Sequence, residues 1–265
     1  SPLARVDFDE FDLVCMVDTQ PEQGNHSLPS EIFPDVVIDH HPERPDTKLA
    51  PISDVGGTRG ATSTLIAEYF RASGLEMPAP IATALYYGIK ADTRDLGRQT
   101  TPEDVEAYLW LFPLVDKEAL AQIEHPRLPA EYFRLYHTAI ERAQLYGDQA
   151  VVCDLAEIYA PDMVAEVAER FGFLEDVRWS LAYGEYADQI FFSLRTSDRR
   201  MNAGRLIREV IEVKGGSAGG HGSMAGARVP LAGMSRAARK RLKAEIAVAF
   251  LDAFGVKGRK PRKIV

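Results

Sequence analysis

The sequence predicts an α/β protein of two domains, a doubly wound, mostly parallel sheet domain followed by a smaller mixed α/β domain, joined by a helical linker. Three observations carry this. Two short apolar runs in the first part of the chain read as buried strands of a parallel sheet, each with an acid at its carboxyl end. A long stretch, residues 129–146, carries Tyr132, Phe133, Leu135, Tyr136 and Ile140 at helical spacings. Beyond it a second pattern of strands and helices begins at Ala150. The expected partition is 1–125, a linker at 126–148, a second domain at 149–254 and a basic tail at 255–265.

The first strand is the run Phe11-Asp12-Leu13-Val14-Cys15-Met16-Val17, with Asp18 at its tip. A Pro-, Gly-, Asn- and Ser-rich loop follows at 20–34. The next strand, Val36-Val37-Ile38 bounded by Pro34 and Pro42, ends in Asp39-His40-His41. Gly56, Gly57 and Gly60 lead into an amphipathic helix at 61–70 with Gly74 just past its end. That entry, with Arg59 inside it, reads either as a phosphate cradle of amides and a cation or as a tight turn before an ordinary helix. The following helix, 78–91, delivers Asp92 at its carboxyl end, and Thr101, Pro102, Glu103 and Asp104 spell a helix start for a segment ending at Leu111.

In the second half the pattern predicts a strand at 150–154, a helix at 161–171, and strands at 178–183 and 189–195 forming a hairpin around Gly184-Glu185-Tyr186. A helix at 203–213, a glycine loop at Gly219-Gly220-His221, a strand at 227–231 and a helix at 235–254 complete the domain. Lys257, Arg259, Lys260, Arg262 and Lys263 make the end a basic, solvated tail.

Chemistry concentrates where the first two strands end. Ligands of open α/β sheets bind at the carboxyl ends of the strands. Neighbouring strand residues point to opposite faces, so His40 and His41 are expected to do different jobs. Carboxylates with imidazole suit a borderline divalent ion such as Mn²⁺, and two such ions can clamp both oxygens of an in-line phosphoryl displacement.

Composition bounds the rest. The chain of 265 residues is 46% hydrophobic and 26% charged, ordinary for a globular protein. Its formal charge of −8 argues against a long nucleic-acid track, while leaving room for a short anionic substrate in a local basic pocket. Cys15 and Cys153 both lie in apolar runs and are expected to be buried, inert thiols, which suits a cytoplasmic location. No apolar run approaches the roughly 20 residues of a membrane span.

Taken in order, these motifs resemble the DHH phosphoesterases, and in particular the nano-RNase/pAp phosphatase and RecJ-like branches. Asp39-His40-His41 is similar to the signature triplet, Asp18 to the preceding acid motif, and Gly88-Ile89 with Asp92-Thr93 to the following one. Ser193-Leu194-Arg195-Thr196-Ser197 and Gly219-Gly220-His221 resemble the arginine motif and glycine-histidine loop of the DHH-associated C-terminal domain. Five ordered motifs covering nearly the whole chain are a far stronger signal than any one. The family's opening motif, a His with two Asp residues, has no match, since Asp7, Asp9, Glu10 and Asp12 have no accompanying His. The chain, opening at Ser1-Pro2-Leu3, is therefore expected to be either a fragment or a divergent relative with a depleted site.

The resemblance implies an Mn²⁺-dependent hydrolase, with two ions in the intact protein and Mg²⁺ or Co²⁺ as alternatives. Asp18, His40 and Asp92 would be metal ligands and His41 would act at the scissile phosphate. Asp39 is expected to steady a ligating imidazole. Arg195, Gly219, Gly220 and His221 would hold substrate, the guanidinium as a planar fork and the glycines by close backbone approach. Ala218 and Met224 depart from the family's loop and bear on nucleobase preference. The expected substrate is a short oligonucleotide or a small nucleotide such as adenosine 3′,5′-bisphosphate, with no membrane partner and a homodimer allowed. Exopolyphosphatase or pyrophosphatase activity is an alternative, although the basic Arg-Lys-Lys cluster of the family's pyrophosphatases does not follow Arg195. A non-catalytic nucleotide-binding module is a further one.

Overall fold

The computed structural model describes residues 6–21, 26–198 and 200–265, with His221 described by its backbone alone. Ser1-Pro2-Leu3, and Gly24 and Asn25 of the loop expected at 20–34, lie outside the described residues. The chain divides into two compact units, Ser1–Arg127 and Leu128–Val265.

In the first unit β1 (Cys15–Val17), β2 (Val36–Asp39) and β3 (Ile52–Val55) form a parallel sheet in that order. Val37 is fully buried at its centre, and Met16 is the one β1 residue that faces inward. Cys15, on the opposite side of β1, is exposed, which corrects the expectation of a buried thiol. Two neighbours on a strand cannot both enter one core. Cys153 does meet the expectation, its thiol pushed up to about 12 by burial. β3 escaped the sequence reading because an edge strand with Ile52 and Ser53 exposed has neither an apolar run nor clean alternation.

Helices α1 (Thr62–Ser73), α2 (Ala79–Thr93), α3 (Pro102–Leu111) and α4 (Lys117–Glu124) follow. Gly74 closes α1 in the left-handed conformation, and Thr101 with Asp104 makes the capping box that opens α3. The short helix α4 had not been expected. Small residues set the packing distance here: Ala61, Ala67, Ala82 and Ala107 are buried, and a Cβ on Gly88 of α2 would overlap the Ser63 side chain of α1. That close approach brings the last turn of α2, and Asp92, to the entrance of α1.

Asp104 is fully buried and ties three segments together. Its carboxylate accepts from Gly60 N at 2.8 Å, Thr64 Oγ1 at 2.5 Å and Thr101 N at 2.7 Å. The glycine-rich turn before α1 is therefore anchored to the start of α3.

The second unit begins with α5 (Ala130–Arg142), β4 (Gln144–Tyr146), β5 (Ala150–Glu157) and α6 (Met163–Phe171). It continues through β6 (Trp179–Tyr186), β7 (Gln189–Thr196), α7 (Ala203–Ile211), β8 (Ser217–His221), β9 (Met224–Pro230), α8 (Arg236–Ala253) and β10 (Pro261–Lys263). Seven strands lie in the order β10-β4-β5-β6-β7-β9-β8, with β5 and β6 parallel and the other neighbours antiparallel. Both sheet faces are covered at the centre. Leu181, Ile190 and Leu194 pack with Ile207, Ile211, Ile246 and Phe250 of α7 and α8. Val151, Cys153 and Ala182 pack with Leu135 and Ala139 of α5 and Val167 of α6. The uninterrupted apolar run at the start of β5 follows from that double burial.

Several boundaries differ from the sequence reading. The helix expected over 129–146 stops at Arg142, because Ala143 turns extended and Leu145 is drawn into the sheet opposite Val151. The β6–β7 hairpin turns at Ala187 and Asp188, with φ of 46° and 55°, as a two-residue loop of the hairpin-favouring hand. Gly184 stays inside β6, where a Cβ would lie 2.7 Å from Ile158 Cγ2. Gly219, Gly220 and His221 are strand β8 and not a loop. The basic tail is not simply solvated, since Pro261–Lys263 pair antiparallel with β4 and Arg262 meets Asp148 at 2.8 Å. No helix among the described residues is long and apolar enough to cross a membrane.

Candidate metal centre

The centre is assembled at the carboxyl end of the parallel sheet in the first unit. β1 ends at Val17, and Asp18 turns with a φ of 60° while its N–H still donates to Ile38 O at 3.0 Å. Short polar side chains tolerate this left-handed conformation better than most, so the acid fits both the bend and the chemistry. Its carboxylate accepts from Thr62 Oγ1 at 2.7 Å and lies 3.7 Å from His40 Nε2. The Thr62 oxygen in turn accepts from His40 N at 3.1 Å. The first residue of α1 thus holds Asp18 and His40 in one frame.

Asp39, the last residue of β2, is fully buried. Its Oδ1 meets His41 Nδ1 at 2.7 Å and accepts from His41 N at 3.1 Å, and its Oδ2 accepts from Gln20 Nε2 at 2.8 Å. Burial works to raise the pKa of Asp39, but the bonds from His41 and Gln20 outweigh it and hold the carboxyl below its ordinary value. The same bond raises the pKa of His41 against the effect of burial, helped by the charges of Asp39, Asp18 and Asp92. An ionised carboxylate only accepts, so His41 Nδ1 carries the proton of that bond.

Two sequence-based expectations change here. β2 ends at Asp39, so strand alternation does not govern the next two residues, and the rings of His40 and His41 lie edge to face with centroids 4.1 Å apart. Asp39 steadies His41, not the neighbouring imidazole that was expected to ligate. The signal for Gln20 was absent from the sequence reading: this fully buried amide lies in the loop after Asp18, and its Oε1 accepts from Arg44 N at 2.9 Å and Thr47 Oγ1 at 2.8 Å. Thr62 was equally invisible, although its place at the start of the helix after the glycine turn was a clue. Arg59, weighed as a phosphate contact, is taken up by Glu68 at 3.1 Å and Glu103 at 3.9 Å.

Ligand atoms of Asp18, Asp39, His40 and His41 lie within 4.8 Å of one another. Asp92, in the last turn of α2, stands outside that group but close enough to share its electrostatics. Burial raises its pKa first, then the charge of Asp18, while His40, His41 and Arg98 work the other way. This donor set of carboxylate oxygens and imidazole nitrogens fits a divalent ion of intermediate softness. With Asp39 and His41 bonded to each other, Asp18 and His40 are the donors most directly presented, with Asp92 alongside.

The other sequence-predicted residues belong to the second unit. Arg195 is half-buried on β7, its Nη1 donating to Ser193 Oγ at 2.8 Å and Leu194 O at 3.2 Å. Register pairs Arg195 with Met224 and Met224 with His221, so β7, β9 and β8 bring Arg195 and His221 into one row. The next row on that side is Ser193, Gly226 and Gly219. Gly220, with a φ of 131°, approaches Ala225 so closely that a Cβ would lie 2.5 Å from its Cα.

Comparison with known proteins agrees with this anatomy. Residues 147–248 match the family model described as the DHHA1 domain. Over 258 residues the chain is 29% identical to the uncharacterised protein MJ1633 of Methanocaldococcus jannaschii, covering 95% of this chain and 52% of that protein. It therefore spans about half the length of the curated relative it matches. An exopolyphosphatase-related protein from Bacteroides fragilis superposes with a TM-score of 0.69 at 16% identity, covering 96% of this chain and 80% of the other. The pGpG-specific phosphodiesterase PggH from Vibrio cholerae is matched over 80% of this chain and 79% of its own, at 15% identity and a TM-score of 0.39.

Proposed function

We propose, from the premise that the chain has the fold of the DHH-family phosphoesterases and carries a DHHA1 domain, that it belongs to a metal-dependent phosphoesterase acting on short oligonucleotides or small nucleotides. The observation that carries the proposal is the gathering of Asp18, Asp39, His40 and His41 within 4.8 Å at the carboxyl end of a parallel sheet. Asp18 and His40, with Asp92, would hold the ion, Mn²⁺ being the first candidate. A divalent ion bound there supplies Lewis-acid polarisation of a phosphoryl oxygen and acidifies water at neutral pH.

The chain's own residues do the rest. Asp39 keeps the proton of His41 on Nδ1 and favours the cationic ring, so Nε2 can donate a hydrogen bond to charge that develops on phosphate in the transition state. Gln20 completes the Asp39 carboxylate and so fixes the ring indirectly. In the second unit Arg195, steadied by Ser193, offers a guanidinium to a phosphate, with Gly219, Gly220 and His221 beside it in register.

The test is kcat/KM with Mn²⁺ for a dinucleotide, an adenosine bisphosphate, a polyphosphate and a nitrophenyl phosphodiester, in the wild type and Arg195→Ala. A nucleotide preference, with an Arg195→Ala loss of roughly ten- to a hundredfold on the dinucleotide and little on the nitrophenyl ester, is expected. Equal losses on every substrate would make Arg195 a structural residue. Hydrolysis of polyphosphate alone would move the substrate class away from nucleotides.

A further inference from the structure

The segment that follows Asp92 adopts a costly conformation with a definite product. α2 ends at Thr93, and Arg94, Asp95, Leu96 and Gln99 then take φ values of 49°, 56°, 63° and 51°. Non-glycine residues are strained in this region, and such clusters persist only where surrounding structure imposes them. Here it does: Asp95 N donates to Lys90 O at 2.9 Å, Gly97 N to Arg94 O at 3.1 Å, and Arg98 N to Thr93 O at 2.7 Å. Gln99 is also pressed against Gly60, where a Cβ would lie 2.8 Å from Gln99 O. The tight loop brings Arg98 back to the end of α2. Its Nη2 donates to Asp92 O at 3.2 Å, and the side chain is half-buried.

Closing the helix does not account for this return. The backbone N–H of Arg94 already reaches Ala91 O and Lys90 O, so the last turn of α2 is capped by the main chain. What Arg98 adds is charge beside Asp92, at the end of α2. The Arg98 guanidinium keeps its charge at every ordinary pH. A phosphate entering a centre lined by three carboxylates needs a compensating cation beside the metal. A guanidinium matches phosphate oxygens in geometry as well as in charge.

We infer that Arg98 is a phosphate-binding residue of this centre, set beside Asp92 by the strained loop at 94–99 to contact a non-bridging oxygen of a phosphate mono- or diester. The inference rests on the metal-centre reading above, and its test uses binding as well as turnover. Inorganic phosphate is titrated calorimetrically into the wild type, Arg98→Ala and Arg98→Gln, each with and without saturating Mn²⁺, and the Mn²⁺ affinity of each is measured. The glutamine variant keeps a donor for the Asp92 carbonyl and guards against collapse of the loop. The expected result is Mn²⁺-dependent phosphate binding that weakens about ten- to a hundredfold in both variants while Mn²⁺ affinity stays within about threefold. KM for a phosphodiester should rise with it. Wild-type phosphate affinity in either variant would overturn the inference and leave the metal centre standing. A matching loss of Mn²⁺ affinity would also overturn it, by assigning Arg98 to the support of Asp92. Absence of phosphate binding to the Mn²⁺-treated wild type would overturn the metal-centre reading itself and this inference with it.

Discussion

Asp18→Ala is expected to weaken Mn²⁺ binding by at least about a hundredfold and to slow phosphodiester hydrolysis by at least about a thousandfold, the two losses appearing together. Asp18 is the carboxylate nearest His40 Nε2, and Thr62 aims it there. It is also the residue that turns the chain at a φ of 60°, so alanine brings backbone strain of its own. Asp18→Asn separates the two effects. Asparagine tolerates the turn and can still accept from Thr62, while lacking the charge. Both variants should lose metal and rate, and only alanine should also melt earlier. An Asp18→Asn chain with wild-type Mn²⁺ affinity would remove Asp18 from the ligand set. Wild-type titration should show a single ion, because Asp18, His40 and Asp92 are too few for two ions that each want about five or six positions.

The second large effect is on His41. His41→Ala is expected to cut kcat by about a hundred- to ten-thousandfold while Mn²⁺ affinity changes little. The reason is the division of labour at the end of β2: Asp39 and Gln20 fix the ring of His41, whereas His40 faces Asp18. The variant also leaves the fully buried Asp39 without its charged partner, with a stability loss of roughly 3–5 kcal/mol. Kinetics should therefore be measured well below the variant's melting temperature. If His41→Ala strips the ion and His40→Ala does not, the two roles exchange.

What could be read from the sequence was whatever rests on local pattern. The β-branched run Val36-Val37-Ile38 announces a buried strand, and Thr101-Pro102 with Asp104 announces a helix start, because each depends on residues within one turn or strand. The acid-histidine triplet was legible as a candidate site for the same reason, and its side chains do gather with Asp18. Its internal division was not. Alternation applies only while the backbone is regular, and β2 ends one residue before the imidazoles, so both rings fall together.

Long-range partners left no trace in the local pattern. Gln20 reads as an ordinary loop amide, yet it is fully buried among Asp39, Arg44 and Thr47. β10 reads as a basic tail because its pairing with β4 depends on the other end of the unit. The glycines at 219 and 220 suggested a loop by composition, whereas pairing with β9 makes them a strand. Gly184 misplaced the hairpin turn in the same way, its lack of a side chain answering to Ile158 and not to a bend.

The central claim is that the cluster of Asp18, His40 and their neighbours holds a divalent ion. Titrating small amounts of Mn²⁺ into the protein while following the ring signals of its histidines by NMR tests it most directly, since a paramagnetic ion broadens nearby nuclei first. The account requires the signals of His40 and His41 to vanish before those of any other histidine, and to survive the same Mn²⁺ in Asp18→Asn. Broadening that begins at another histidine, or that spares His40 and His41 at saturating Mn²⁺, would contradict it.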